Sequence, residues 1–289
     1  MKFKVNLRIF FVLVLVVLYA CEKKNGIEKN DLSEMGLKEQ VKSIRKIGFE
    51  VKDSVLMTKG EKYEGRFEEF HSFNESGNLI ESVKFLPEGE LYSKNVFFYD
   101  EKNALDEIQW FSEYGKESIS SFIHDFEGNL TSMEIKDVDG TFRQKYTYKY
   151  DENGNNIESI WYLRNDSLIS TILRSSYDGN GKKIDNRYFS SDEVLFDKES
   201  YRYDKNGLLI EREYYEHRTN KFNDSFSRVF DDGGDVVMME TVKHNADGKV
   251  INREVERFFY DDHHNWIKRI AYVTNNPGLI EERHIEYYE

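Results

Sequence analysis

Cysteine and proline are nearly absent: one Cys and two Pro in 289 residues. With Cys21 alone no intramolecular disulfide can form, and no Cys/His cluster exists to hold a transition metal. Positive charge is also short. Asp and Glu number 54 against 41 Lys and Arg, a net charge of −13. That balance argues against nucleic acid as a partner, because phosphate binding needs basic patches. No Gly-x-Ser-x-Gly elbow, phosphate-cradling glycine loop or His-Glu-x-x-His is present. No linker rich in Gly, Ser or Pro divides residues 62–289, and no long helical period interrupts them.

What the chain has is aromatic residues, at 15%, and a repeat. The stretch Tyr150-Asp151-Glu152-Asn153-Gly154-Asn155-Asn156-Ile157 is one of eight copies of a pattern that recurs in altered form. Its Asp position falls at Asn74, Asp100, Asp125, Asp151, Asp178, Asp204, Asp231 and Asp261, a period of 25 to 30 residues. The residue before is aromatic in seven copies, with His124 the eighth. Three after the Asp position stand Gly77, Asn103, Gly128, Gly154, Gly181, Gly207, Gly234 and His264. Asn and His are among the few non-Gly types enriched at positive φ. Asp or Asn at the first turn position can bond the backbone two residues on, and a left-handed residue at the fourth closes a bulged hairpin. Each copy therefore reads as a hairpin tip. A looser turn lies midway, at Gly89, Gly115, Gly140 and Asp166 in the early copies.

Two strands per period predict an all-β, repetitive antiparallel meander of about sixteen strands. Its sheet is expected to be long and curled, or partly closed. The terminal segment His284–Glu289 reads as a closing edge strand protected by charge. A helical reading is open for residues 32–41. With a G1 bulge the aromatic before Asp and the aliphatic three past Gly fall on opposite faces; with a tighter turn they share one.

The N-terminus carries an address. Lys2, Lys4 and Arg8 precede a ten-residue apolar run, Ile9 to Leu18, too short for a membrane span. The run ends at Leu18-Tyr19-Ala20-Cys21, which resembles a bacterial lipoprotein signal. That resemblance implies cleavage before Cys21 and lipidation of its thiol, with Tyr19 a departure from the usual small or aliphatic choice. The resulting domain plan is a signal peptide over 1–20, a polar tether over 21–36 and one repeat domain over 37–289. The tips Tyr150–Asn155 and Tyr203-Asp204-Lys205-Asn206-Gly207-Leu208 resemble the YD-repeat (Rhs-like) family over most of residues 70–289. The family implies antiparallel hairpins winding into a curled sheet or shell on exported bacterial proteins, some of them described as carbohydrate-binding. The period here is longer than the family unit, and no toxin domain is appended. Lipobox and tips together look like envelope lipoproteins of Bacteroidetes-type bacteria, with an outer-membrane address and the side of that membrane open.

Candidate chemistry is thin. Asp151, Asn153 and Asn155 have calcium-loop spacing, but the sixth-position Gly and twelfth-position Glu are missing, and the Asx turn explains them. No metal or cofactor is expected. Ten residues past the Asp position stand Trp110, Ile135, Trp161, Tyr188 and Tyr214. The aromatics among them, Trp110, Trp161, Tyr188 and Tyr214, are candidates to stack on a sugar or a protein partner; ordinary cross-strand packing is the plainer reading. The functional expectation is a non-enzymatic, lipid-anchored scaffold or binding surface for a glycan or envelope protein. The alternative is an enzyme with its site in the irregular loops, favoured by the stretched copy between Asp231 and Asp261. An outer-membrane barrel has the right strand number, but charges fall on both strand faces and no lipid-facing apolar band is visible.

Overall fold

The structure, a computed structural model, describes residues 30–53, 58–64, 66–163, 168–216, 220–273 and 276–289. Cys21, the expected leader, the first part of the expected tether and Asp166 lie outside these. One short helix, α1 (Asp31–Glu34), precedes nineteen strands: β1 (Val41–Asp53), β2 (Thr58–Lys62), β3 (Glu68–Phe73), β4 (Leu79–Phe85), β5 (Leu91–Tyr99), β6 (Leu105–Ser112), β7 (Gly115–His124), β8 (Leu130–Asp137), β9 (Phe142–Tyr150), β10 (Asn156–Leu163), β11 (Ile169–Tyr177), β12 (Lys183–Phe189), β13 (Leu195–Tyr203), β14 (Leu209–Glu216), β15 (Asn220–Phe230), β16 (Val236–His244), β17 (Val250–Tyr260), β18 (Trp266–Val273) and β19 (Asn276–Tyr287).

From β3 to β19 each strand pairs antiparallel with the next. The sheet does not stay curled or partly closed. β1 takes β19 on one side, with Ile44 opposite Ile285, and β3 on the other, with Ile44 opposite His71. The result is a closed ring of eighteen strands, with β2 added as a short flap on β1. The expected edge strand at the C-terminus is therefore paired on both sides. Closure abolishes the exposed edge, and charge has no edge to protect. Among the described residues, substantial contacts between strands run only around the wall, between hydrogen-bonded neighbours. Barrels of this strand number enclose more space than side chains fill.

The tips all form at one end of the ring. Each Asp or Asn accepts from its own turn backbone: Asp151 Oδ1 takes the N–H of Asn153 at 3.0 Å and of Asn155 at 2.8 Å. The fourth turn residue has positive φ in every copy, from 61° at His264 to 88° at Gly234, with Asn103 at 67°. The turn carries a bulge. Lys149 opposes Glu158 and Tyr150 opposes Asn156, so Ile157 is the extra residue. Tyr150 accordingly faces inward while Ile157 is exposed outside, as are Ile80, Ile184 and Ile267.

The tyrosine before Asp has a task that an aromatic strand former alone would not supply. Its hydroxyl donates to the first carbonyl of the preceding hairpin's second strand: Tyr99 to Leu79 at 2.8 Å, Tyr150 to Leu130 at 2.9 Å, Tyr177 to Asn156, Tyr203 to Lys183 and Tyr260 to Val236, each at 2.8 Å. Where Phe230 stands instead, Arg228 Nη1 reaches the Leu209 carbonyl at 2.6 Å. In these six copies the hairpin is thus fastened to the one before it. Tyr150→Phe should lower stability by about 1 kcal/mol, the net worth of one such bond; a urea midpoint that does not move would contradict the role.

Residues 30–40 seal the seam at the tip end. The Asn30 side chain caps α1 and donates to the Ser76 carbonyl at 2.8 Å. Leu32 and Leu37 are buried with Val41, Ile44, Phe73 and Leu79. Lys38 Nζ reaches Asp235 Oδ1 at 2.7 Å, and Asn265 Oδ1 accepts from the Lys38 N–H at 2.8 Å. Residues 30–36, expected within the tether, are thus part of the folded body. Of the open helical reading over 32–41, only the one turn of α1 is helical.

Candidate functional site

Pairing partners share a face, so one register defines the inward wall around the ring. Its apolar sector spans β6 to β10: Ile108, Phe122, Met133, Ile135, Tyr146 and Tyr148 are buried, with Trp110 and Trp161 packed against them. The candidate aromatics Trp110, Trp161, Tyr188 and Tyr214 all lie on this inward wall and are half-buried. They do not form a level row. Trp110 is level, through Ser118, with Asp137, whereas the equivalent residue of that copy is Ile135. The same two-residue step recurs from Ile135 to Trp161, so the positions climb the wall like a stair, as the stagger of a tilted barrel requires.

Each of the four has a partner. Trp110 Nε1 donates to Ser120 Oγ at 2.7 Å. Trp161 stacks on Tyr146, with centroids 5.9 Å apart and planes 7° from parallel. Tyr214 stacks on Phe222 at 5.3 Å. Tyr188 joins a polar sector on β11 to β15. Its hydroxyl and that of Tyr201 donate to Glu199 Oε2 at 3.2 and 2.5 Å, as does Asn186 Nδ2 at 3.2 Å. Ser175 Oγ donates to Asn186 at 2.7 Å, and Arg212 pairs with Asp224 at 2.5 Å. Burial, and then the Glu199 carboxylate, pushes the Tyr188 and Tyr201 phenols well up, so both remain donors.

A third sector, which the sequence reading did not isolate, is ionic and spans the seam. Arg269 bridges Glu256 and Glu281. Lys46 pairs with Glu69 at 2.8 Å. Burial raises the Glu69 carboxyl, but the neighbouring His71 imidazole and the Lys46 charge overcome it and hold that group far below the usual range. Burial lowers Arg283 to about 10. The signal available in sequence was charge at inward strand positions, unreadable until the bulges fix which positions are inward.

The outward wall is laced with ion pairs. Glu158 holds Lys149 at 2.7 Å and Arg174 at 3.0 Å; Lys136 holds Glu134 at 2.6 Å and Arg187 holds Asp185 at 2.8 Å. Exposed apolar residues such as Phe98, Ile123, Val229 and Phe259 are interspersed with these charges. The two non-glycine tips link to neighbours: Asn103 Oδ1 accepts from Asn78 Nδ2 at 2.7 Å, and His264 Nδ1 lies 2.6 Å from Asp235 Oδ2. A glycine could make neither contact. No group of three or more potential metal ligands occurs among the described residues.

No protein-family model matches the chain, and no curated protein matches it. Among solved structures it is similar to a porin-like protein from Bacteroides uniformis ATCC 8492, at 11% identity over 86% of this chain and 98% of that one, with a TM-score of 0.47. A porin-like protein from Bacteroides vulgatus ATCC 8482 shares 11% identity over the same fractions, with a TM-score of 0.36. The TcdB2-TccC3-Cdc42 structure shares 14% identity over 72% of this chain, with a TM-score of 0.36; the match spans 11% of that chain's length.

Proposed function

We propose that the protein is a lipid-anchored envelope barrel of YD-repeat-like hairpins that binds a glycan on its inward wall and performs no catalysis. The observation that carries this reading is the composition of that wall. Half-buried aromatic rings climb it at a fixed interval, beside a polar cluster of Glu199, Asn186, Tyr201 and Arg212. Flat rings flanked by fixed donors and acceptors suit sugar rings and their hydroxyls. The aromatics face inward, which favours a chain-like ligand threaded within the ring over a broad protein partner outside it.

The outward wall supports an aqueous position. Lys or Arg on a lipid-facing strand costs about 2–4 kcal/mol near the bilayer midplane, Asp or Glu less, and ion pairs are spread over this one. Attachment would come from Cys21, most naturally at the outer membrane. Eight residues lie between Cys21 and Asn30, which leads into the tip end. That end would therefore stand nearest the membrane. Cys21→Ser should move the protein from the membrane to the soluble fraction; fatty-acid label on the variant would contradict the anchor. A glycan screen with the full chain tests the binding reading. Trp161→Ala and Tyr214→Ala, each confirmed as folded, should weaken a captured glycan at least tenfold. Unchanged affinity in both would overturn it.

A further inference from the structure

The closing seam places five inward positions in one cross-strand line. Ser93 on β5 opposes Lys84 on β4, Lys84 opposes Glu69 on β3, Glu69 opposes Lys46 on β1, and Lys46 opposes Arg283 on β19. Neighbouring strands stand about 4.8 Å apart, so each side chain is within reach of the next in the line. Lys84, Lys46 and Arg283 thus share a single carboxylate in the line, within a chain of net charge −13. The next carboxylate, Glu281, is held by Arg269, which also holds Glu256.

The donors are not used up. Arg283 lies with its guanidinium 3.4 Å from the Trp266 ring centroid. A guanidinium lying over a ring face keeps its N–H groups free to donate at its edges. Its Nε is buried and has no hydrogen-bond partner. One pleat along β3, His71 Nε2 lies 3.7 Å from Glu69 Oε2, and its Nδ1 is buried without a partner. Level with His71 are Ser82 and Asn95, and Asn95 Oδ1 is likewise unpartnered. Leaving a charged donor buried and unsatisfied costs more than the bond itself would contribute.

We propose that the line Lys84–Lys46–Arg283, with His71 beside it, is an anion-binding site for a carboxylate, sulfate or phosphate group presented inside the barrel. Arg283 supplies directional donors on the Trp266 face, Lys84 and Lys46 supply point charge, and Glu69 holds Lys46 in place. If the glycan reading is correct, on which this clause rests, the anion is an acidic substituent of that glycan, a uronate or a sulfate ester.

Calorimetric titration of the full chain with sodium sulfate, at ionic strength held constant with chloride, tests the site without any sugar. Saturable binding is expected, weakened at least tenfold by Arg283→Gln and by Lys84→Gln. Lys84 is half-buried, so its variant keeps the test valid should Arg283→Gln fail to fold. No saturable sulfate binding, or equal binding by a folded variant, overturns the site. An oligoglucuronide is then added as competitor. Displacement of sulfate supports the site and the glycan reading together. Sulfate binding that the oligoglucuronide does not disturb supports the anion site and counts against the acidic glycan.

Discussion

Phe73→Ala is expected to cost the protein about 3–5 kcal/mol, the usual range for emptying a fully buried aromatic site. Phe73 is 1% exposed and sits where the ring closes. Its side chain packs with Leu32 and Leu37 from the N-terminal segment, Val41 and Ile44 from β1, and Leu79 from β4. Its carbonyl accepts from Tyr288 Oη at 2.6 Å, which ties the C-terminus to the same point. Three distant parts of the chain meet on one ring, and no nearby side chain can collapse into the space without pulling one of them away. Urea unfolding should show the full loss, and the variant should expose β1 and β19 to hydrogen exchange before the rest of the wall. A loss under about 1 kcal/mol would mean that the seam is not held there.

Trp161→Ala is the second large effect. Trp161 lies against Tyr146 in a near-parallel stack and borders the apolar sector. Being half-buried, it should cost about 2–3 kcal/mol, below the range for a fully enclosed aromatic. An exposed binding residue would instead cost almost nothing in stability. Denaturation of Trp161→Ala beside Met133→Ala, the buried methionine of the same sector at 1% exposure, gives the comparison. A loss in the range of a fully enclosed aromatic, about 3–5 kcal/mol, would make Trp161 purely structural and leave Tyr214 to carry the glycan reading. A negligible loss would place the ring free of the wall, contrary to the stack.

The hairpin tips were legible because their physics is local. Asp151 and Gly154 are three residues apart, and the turn they specify needs nothing from the rest of the chain. Asn103 and His264 were legible for the same reason, since few other side chains tolerate the left-handed backbone. Their contacts to Asn78 and Asp235 were not, because those partners lie in neighbouring hairpins. Closure was hidden more deeply. β1 stands outside the repeat and carries no tip, and its partners on β19 are more than 230 residues away, as with Phe49 and Ile280. Nothing in a two-residue alternation says that residues 41–49 will join both free edges. Inward and outward were undetermined for a related reason: one extra residue at each bulge reverses the parity of everything after it. Hence Lys46, Glu69 and Arg283 read as scattered surface charge until the register aligned them. The tyrosines before each Asp were visible, but their hydroxyls found a use only once the preceding hairpin lay alongside.

The most direct measurement concerns the ring itself. Arg45 opposes His284 across the β1–β19 junction. Directly opposite residues of an antiparallel pair have Cα atoms about 4.5–5.5 Å apart, within the span of a disulfide. In a Cys21→Ser background, Arg45→Cys with His284→Cys should oxidise to an intramolecular disulfide in near-quantitative yield, with the wall still folded. A folded double variant that keeps both thiols free under the same oxidant would mean that β1 and β19 do not meet, and that the sheet is open.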